Sequence, residues 1–184
     1  KPYVIKIAPG VYTETANVVL KDYVDVEGSG QNITTINCAC SSNSFDASSA
    51  VISAGAITAE IRHLTINNTG GNNNYSAGVY TNNVANESFS MNNVTATATG
   101  GTAENYGVRN VASSLMMTNV TATATGGTAN YGVDNISSSP TMNNVTATAT
   151  GGTSSNYGVY NNSSSPMMNN VTATATGGTN KDRG

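Results

Sequence analysis

Tryptophan is absent from this chain of 184 residues, phenylalanine occurs twice and leucine three times. A core built from large aliphatic and aromatic side chains is therefore excluded. Charged residues make up only 9%, with seven Lys and Arg and a formal net charge of -3. Nucleic acid is excluded as a partner, because neutralising a phosphate backbone needs a dense basic face. No apolar run approaches the roughly 18 residues of a membrane-spanning helix. Two cysteines and one histidine complete no metal site, so neither metal nor cofactor is expected. No leader segment opens the chain, although Lys1 begins in mid-pattern, as it would after removal of one.

What remains is Thr, Asn, Ser, Ala and Gly. So polar a chain could be disordered, but the low net charge and the many β-branched residues oppose that. The composition suits thin layers that stack.

The order of the residues bears this out. The string VTATATGGT occurs four times, starting at Val94, Val120, Val145 and Val171, at spacings of 26, 25 and 26. A longer unit surrounds it and starts at Met91, Met117, Met142 and Met168. A degraded copy begins at Leu64. Val-Thr-Ala-Thr-Ala-Thr alternates with period 2, which is a strand signal, and Gly, Asn and Ser punctuate helices rather than build them. Each unit offers three short strands: Val94–Thr99, Tyr106–Asn110 and a short one ending at Met116-Met117. Three strands and three turns in about 25 residues make one coil of a parallel β-solenoid, and the chain is long enough for about seven coils.

Side-chain parity assigns faces. With Val94 inward, Ala96 and Ala98 also point in and leave room, which Tyr106 and Val108 are expected to fill, with Gly107 and Arg109 outward. Met91, Met117, Met142 and Met168 are expected to form one interior column. Asn93, Asn119, Asn144 and Asn170 recur at a corner. Stacked amides there can bond from coil to coil, and Asn tolerates the left-handed backbone a corner demands. These Asn are expected to be buried, so the sequons they open, such as Asn93-Val-Thr95, are not expected to carry glycans. Asn110, Asn135 and Asn161 suggest a second column. The organisation is a single continuous solenoid, less regular over 1–63 and repetitive over 64–184.

Residues 3–37 read as further strands at Tyr3–Ile7, Val18–Leu20, Tyr23–Glu27 and Ile33–Ile36. The run Val4-Ile-Lys-Ile-Ala-Pro-Gly-Val-Tyr-Thr-Glu14, with Val24-Asp-Val-Glu-Gly-Ser-Gly30 and Thr34-Thr-Ile36, resembles the opening coils of the pectin-lyase-like superfamily, pectin methylesterases above all. The later coils resemble repeats of bacterial secreted and surface β-helix proteins. The resemblance implies a right-handed parallel β-helix, all-β, in an extracellular or cell-surface location. It also implies catalytic carboxylates, which the methylesterases carry as paired Asp on successive coils with Gln and Arg. Between residues 91 and 180 the charges are only Glu104, Arg109 and Asp134. The chain is therefore expected to be non-catalytic.

Two surfaces stand out as candidate sites. Thr95, Thr97, Thr99, Thr121, Thr123, Thr125, Thr146, Thr148, Thr150, Thr172, Thr174 and Thr176 form an outward grid three wide and four deep, without charge. Neighbours lie about 6.6 Å apart along a strand and about 4.8 Å apart between coils. Such grids resemble the ice-binding faces of β-solenoid antifreeze proteins. Tyr80, Arg109, Asp134 and Tyr160 form the outward column of the Tyr-Gly-Val strand, where exposed Tyr could stack on sugars. Otherwise Arg109 and Asp134 make an ordinary surface pair, worth about 0–1 kcal/mol. Cys38 and Cys40 share one strand face, where a direct disulfide is strained, and read as two small buried residues.

The resulting expectation is a rigid structural, adhesive or filament-forming segment, either cut from a longer surface protein or docked end to end with other copies. Its possible partners are a polysaccharide, ice or another surface. The enzyme alternative is a carbohydrate esterase or lyase whose site lies outside these coils.

Overall fold

Each repeat closes on itself because its strand signals are separated by left-handed corners. The computed structural model describes residues 3–85 and 87–184. In chain order the strands are β1 (Tyr3–Lys6), β2 (Gly10–Glu14), β3 (Val18–Val19), β4 (Val24–Glu27), β5 (Thr34–Cys38), β6 (Ala50–Ala54), β7 (Ala59–Asn68) and β8 (Tyr75–Asn82). Then follow β9 (Phe89–Ala98), β10 (Glu104–Val111), β11 (Met116–Thr125), β12 (Ala129–Ile136), β13 (Thr141–Thr150), β14 (Ser155–Asn162), β15 (Met167–Thr176) and β16 (Lys181–Arg183). A 3-10 turn, Ala47–Ser49, precedes β6. No helix among the described residues is long and apolar enough to cross a membrane.

All strand pairs are parallel, in two sheets. The first runs β1-β4-β7-β9-β11-β13-β15, with β2 and β5 joined to β7, and the second runs β16-β14-β12-β10-β8-β6-β3. The chain is thus an all-β parallel solenoid of about seven coils. From β7 onward each long strand has two legs divided by a left-handed residue: His63, Asn93, Asn119, Asn144 or Asn170, with φ between 52 and 56°. In the preceding coil the two legs are the separate strands β4 and β5, both paired to β7. The strand at Gly10–Glu14 adds to those expected from the sequence.

The core is a set of columns one coil apart. Ile61, Met91, Met117 and Met142 are stacked and buried, as are Leu64, Val94, Val120 and Val145. Met168 continues the methionine column but is 51% exposed, because β15 is the edge strand of its sheet.

Three expectations are corrected. Tyr106 does not share the interior with Val108: its ring packs outside the second sheet with Phe45, while Val108 joins the core. The parity slips at Gly107, which turns inward against the facing sheet, where a Cβ would stand 2.6 Å from the Thr123 backbone nitrogen. The space that Ala96 and Ala122 leave is thus closed by Gly78, Gly107, Gly132 and Gly158, which let the two sheets approach. The corner Asn119, Asn144 and Asn170 are exposed rather than buried, because their left-handed backbone swings the side chain outward.

Cys38 and Cys40 are joined in a disulfide. The strand ends at Cys38, and the two Cα atoms stand 5.2 Å apart, within the ordinary disulfide range.

Candidate functional site

The outer face of the first sheet carries most of the polar display. Parallel register aligns Thr65, Thr95, Thr121, Thr146 and Thr172, and Thr35 extends that column by one coil. The neighbouring column runs Asn37, Asn67, Thr97, Thr123, Thr148 and Thr174. A third holds Thr125, Thr150 and Thr176, with Thr99 beside it. The Thr97 hydroxyl donates to Asn67 Oδ1 at 2.7 Å. Thr35 and Thr65 lie outside the perfect repeats, and only the coil register reveals them as members of the array.

The corner ladder flanks this array. Asn119 Nδ2 donates to Asn93 Oδ1, Asn144 Nδ2 to Asn119 Oδ1 and Asn170 Nδ2 to Asn144 Oδ1, at 3.1, 3.1 and 2.7 Å. Inside the coils a second ladder runs from Asn110 to Asn135 to Asn161, both steps at 2.8 Å. A third, missed in the sequence, links Ser76, Asn105, Asn130, Asn156 and Asp182. Its signal was the Asn that precedes each Tyr-Gly.

The charged group on the same sheet sits at the N-terminal end. Asp25 and Glu27 on β4 stand beside Glu60 and Arg62 on β7, because Val26 pairs with Ile61 and Glu27 with Arg62. Arg62 Nη2 donates to Glu27 Oε2 at 2.9 Å, and Nη1 donates to Glu60 Oε2 at 2.5 Å. Asp25 Oδ2 lies 3.6 Å from Arg62 Nη1, while Asp25 Oδ1 accepts from the Glu60 backbone N–H at 2.8 Å. The bond from Arg62 holds the Glu27 carboxyl below the usual carboxylate range. Burial pulls Arg62 down, but its bonds to Glu27 and Glu60 outweigh it and the guanidinium is held above its ordinary value. Beside this quartet opens a cavity of about 420 Å3, lined by Tyr23, Asp25, Thr58, Glu60, Ser88 and Ser90. Carboxylates on successive coils, tied by one guanidinium at the rim of a cavity, can bind sugar hydroxyls and can take or return a proton there. Among the described residues no three His, Cys, Asp or Glu side chains are grouped to hold a metal ion.

The outer face of the second sheet holds Tyr80, Arg109, Asp134 and Tyr160 in one register column. It is not the tolerant exposed surface expected. Asp134 is 2% exposed. Arg109 Nε lies 3.2 Å from Asp134 Oδ2, and the guanidinium lies against both Phe45 and Tyr106, 3.8 and 4.6 Å from their ring centroids. The cover arrives from far back in the chain, which is why local pattern did not show it. Burial pushes the Asp134 carboxyl up to about 7, against the pull of Arg109. Burial likewise pushes up the Tyr80, Tyr106 and Tyr131 phenols. Tyr106, Tyr131 and Tyr157 stack on one another at 4.9 and 5.2 Å, so their inner faces are taken up by each other, and Tyr160 packs edge-on against the last two.

No family model and no curated protein sequence matches the chain. Solved structures do. A pectin methylesterase from Yersinia enterocolitica superposes with a TM-score of 0.62 at 13% identity, covering 82% of this chain and 51% of its own. A pectin methylesterase in complex with a hexasaccharide gives 0.55 at 14%, covering 82% and 47%. The A-module of a mannuronan C-5 epimerase from Azotobacter vinelandii gives 0.53 at 15%, covering 84% and 49%. The chain spans about half the length of these structures. The expectation of a non-catalytic chain is corrected here: the structures it is similar to are carbohydrate-active enzymes, and the reading from residues 91–180 passed over the carboxylates of Asp25 and Glu60. The fold they share with this chain is the right-handed parallel β-helix of the pectin-lyase-like type.

Proposed function

We propose that this chain is a glycan-contacting segment of a carbohydrate-active β-helix, working on polysaccharide outside the cell, and that the face around Asp25, Glu60 and Arg62 receives the sugar chain. The observation that carries this reading is that Asp25 and Glu60, both held by Arg62, line the 420 Å3 cavity. Elsewhere the long strands of that sheet present Thr and Asn outward, so charge is concentrated where a cavity exists to use it. The similarity in fold to pectin methylesterases and an epimerase supports the substrate class. Titration calorimetry with a methyl-esterified galacturonate hexasaccharide and with neutral hexasaccharides tests it. Glu60→Gln and Arg62→Ala should each weaken binding at least tenfold, while Thr148→Lys leaves it unchanged. Absence of binding by the folded parent rejects the reading.

A second reading is supported by the Thr column from Thr35 to Thr172, six coils deep and uncharged. Such an array suits a periodic surface such as ice. Thermal hysteresis in the parent, lost when Thr97, Thr123, Thr148 and Thr174 are changed to Lys, would support it, and no hysteresis would end it.

A further inference from the structure

We infer that Phe45 is a built-in plug over a second glycan subsite, formed on the outer face of the second sheet by Tyr80, Tyr106, Arg109 and Asp134. This goes beyond the reading of the Asp25 cavity and is independent of it. The strap between β5 and β6 is rooted by the Cys38–Cys40 disulfide and by a bridge between Ser42 and Tyr75. Its Asn43, Ser44, Asp46 and Ser48 are exposed. Phe45 alone among these reaches down, with its ring centroid 4.7 Å from that of Tyr106 and 5.5 Å from that of Tyr80.

Beneath the ring two polar atoms are unmatched. Asp134 Oδ1 is buried with no hydrogen-bond partner, and Arg109 Nε, though 3.2 Å from Asp134 Oδ2, does not make a hydrogen bond with it. A buried carboxylate oxygen without a donor is costly, and each such case asks for a reason. One needs a donor and the other an acceptor. Neighbouring hydroxyls of a pyranose supply both, since each hydroxyl donates and accepts. The sugar ring would take the place of the Phe45 ring, against the Arg109 guanidinium and beside Tyr106. An aromatic side chain of a partner protein would replace the Phe45 ring but leave Asp134 Oδ1 without its donor. With Asp134 ionised the Arg109–Asp134 pair sums to no charge, which favours uncharged hexose units.

The test is calorimetry of the whole chain with glucose and mannose hexasaccharides, using the parent, Phe45→Leu, Phe45→Ala and Phe45→Ala with Asp134→Asn. Arg62→Ala in each background removes the contribution of the first cavity. Affinity should rise at least tenfold in Phe45→Ala, less in Phe45→Leu, and return to the parent value with Asp134→Asn. Saturating hexasaccharide should also speed amide exchange across residues 41–49 of the unaltered protein, as the strap lifts. Folded Phe45 variants that bind no tighter, a gain that survives Asp134→Asn, or unchanged exchange at saturation would each overturn the proposal.

Discussion

Gly107 lies so close to Thr123 that a Cβ added to it would stand 2.6 Å from the Thr123 backbone nitrogen. The obstruction is backbone of the opposite sheet, which cannot swing aside as a side chain can. Gly132 meets Thr148 in the same way, and Gly158 meets Thr174, both at 2.6 Å. The thin core therefore depends on a column of missing side chains.

Gly107→Ala or Gly132→Ala should consequently cost about 3 kcal/mol or more, the upper end for overpacking. Gly55→Ala is the control: the nearest heavy atom to its Cβ is at 4.0 Å, and its backbone is not left-handed. It should fall within about 0.5 kcal/mol of the parent, as surface substitutions do. Urea unfolding of the variants measures both. Equal stability of all three proteins would mean that the sheets can separate.

Which features were legible in the sequence follows from how far apart their parts lie. Period-2 alternation in Val94–Thr99 is local, and it correctly put Val94, Ala96 and Ala98 inside. The same rule failed at Tyr106, because Gly107 shifts the alternation by one and nothing in Tyr-Gly-Val announces it. The charged quartet was missed for a different reason. Asp25 and Glu60 are 35 residues apart, not the 25 or 26 of the perfect repeats, so a search at repeat spacing passes over them. The burial of Arg109 was invisible because Phe45 arrives from a coil outside the repeats.

Arg62 serves three carboxylates at once. Arg62→Ala leaves Asp25, Glu27 and Glu60 facing one another half-buried, with no cation between them. It should destabilise by about 1–3 kcal/mol, the cost of removing one partner from a partly buried charged network. Glu27, held below its ordinary range, contributes stability at neutral pH that is lost as pH falls through its folded value. The loss from Arg62→Ala should therefore shrink in acid. Thermal unfolding at pH 7 and pH 3 checks this, and an undiminished effect at pH 3 would show that packing rather than charge is at stake.

Asp134 predicts the opposite slope. Its folded value of about 7 stands above the ordinary carboxylate value of 3.8. Between those two values the folded state holds a proton that the unfolded state has released. Stability should then fall as pH rises from about 4 to about 7, by on the order of 1 kcal/mol per unit. Arg109 and Glu104 face the same carboxyl, the first lowering its value and the second raising it. Asp134→Asn removes the titration and should flatten the profile. Urea midpoints from pH 4.5 to pH 8 decide it, and parallel profiles for parent and variant would place the proton elsewhere.

The two kinds of Asn ladder should respond differently to the same truncation. Asn135 is fully buried, accepts from Asn110 Nδ2 and donates to Asn161 Oδ1. Asn135→Ala leaves the buried Asn110 amide without its acceptor, a loss of about 1–3 kcal/mol, while the exposed Asn161 can turn to water. Asn144 also bridges two neighbours, but at the exposed corner where water can replace it. Its cost comes instead from its φ of 52°, which an alanine adopts at about 1–2 kcal/mol. Asn144→Gly removes that strain and should recover most of the loss, whereas Asn135→Gly should be worse than Asn135→Ala, because glycine in an extended strand adds an entropic cost. Four urea titrations separate the cases, and an Asn144→Gly variant as unstable as Asn144→Ala would mean that the exposed amide ladder itself holds the corner.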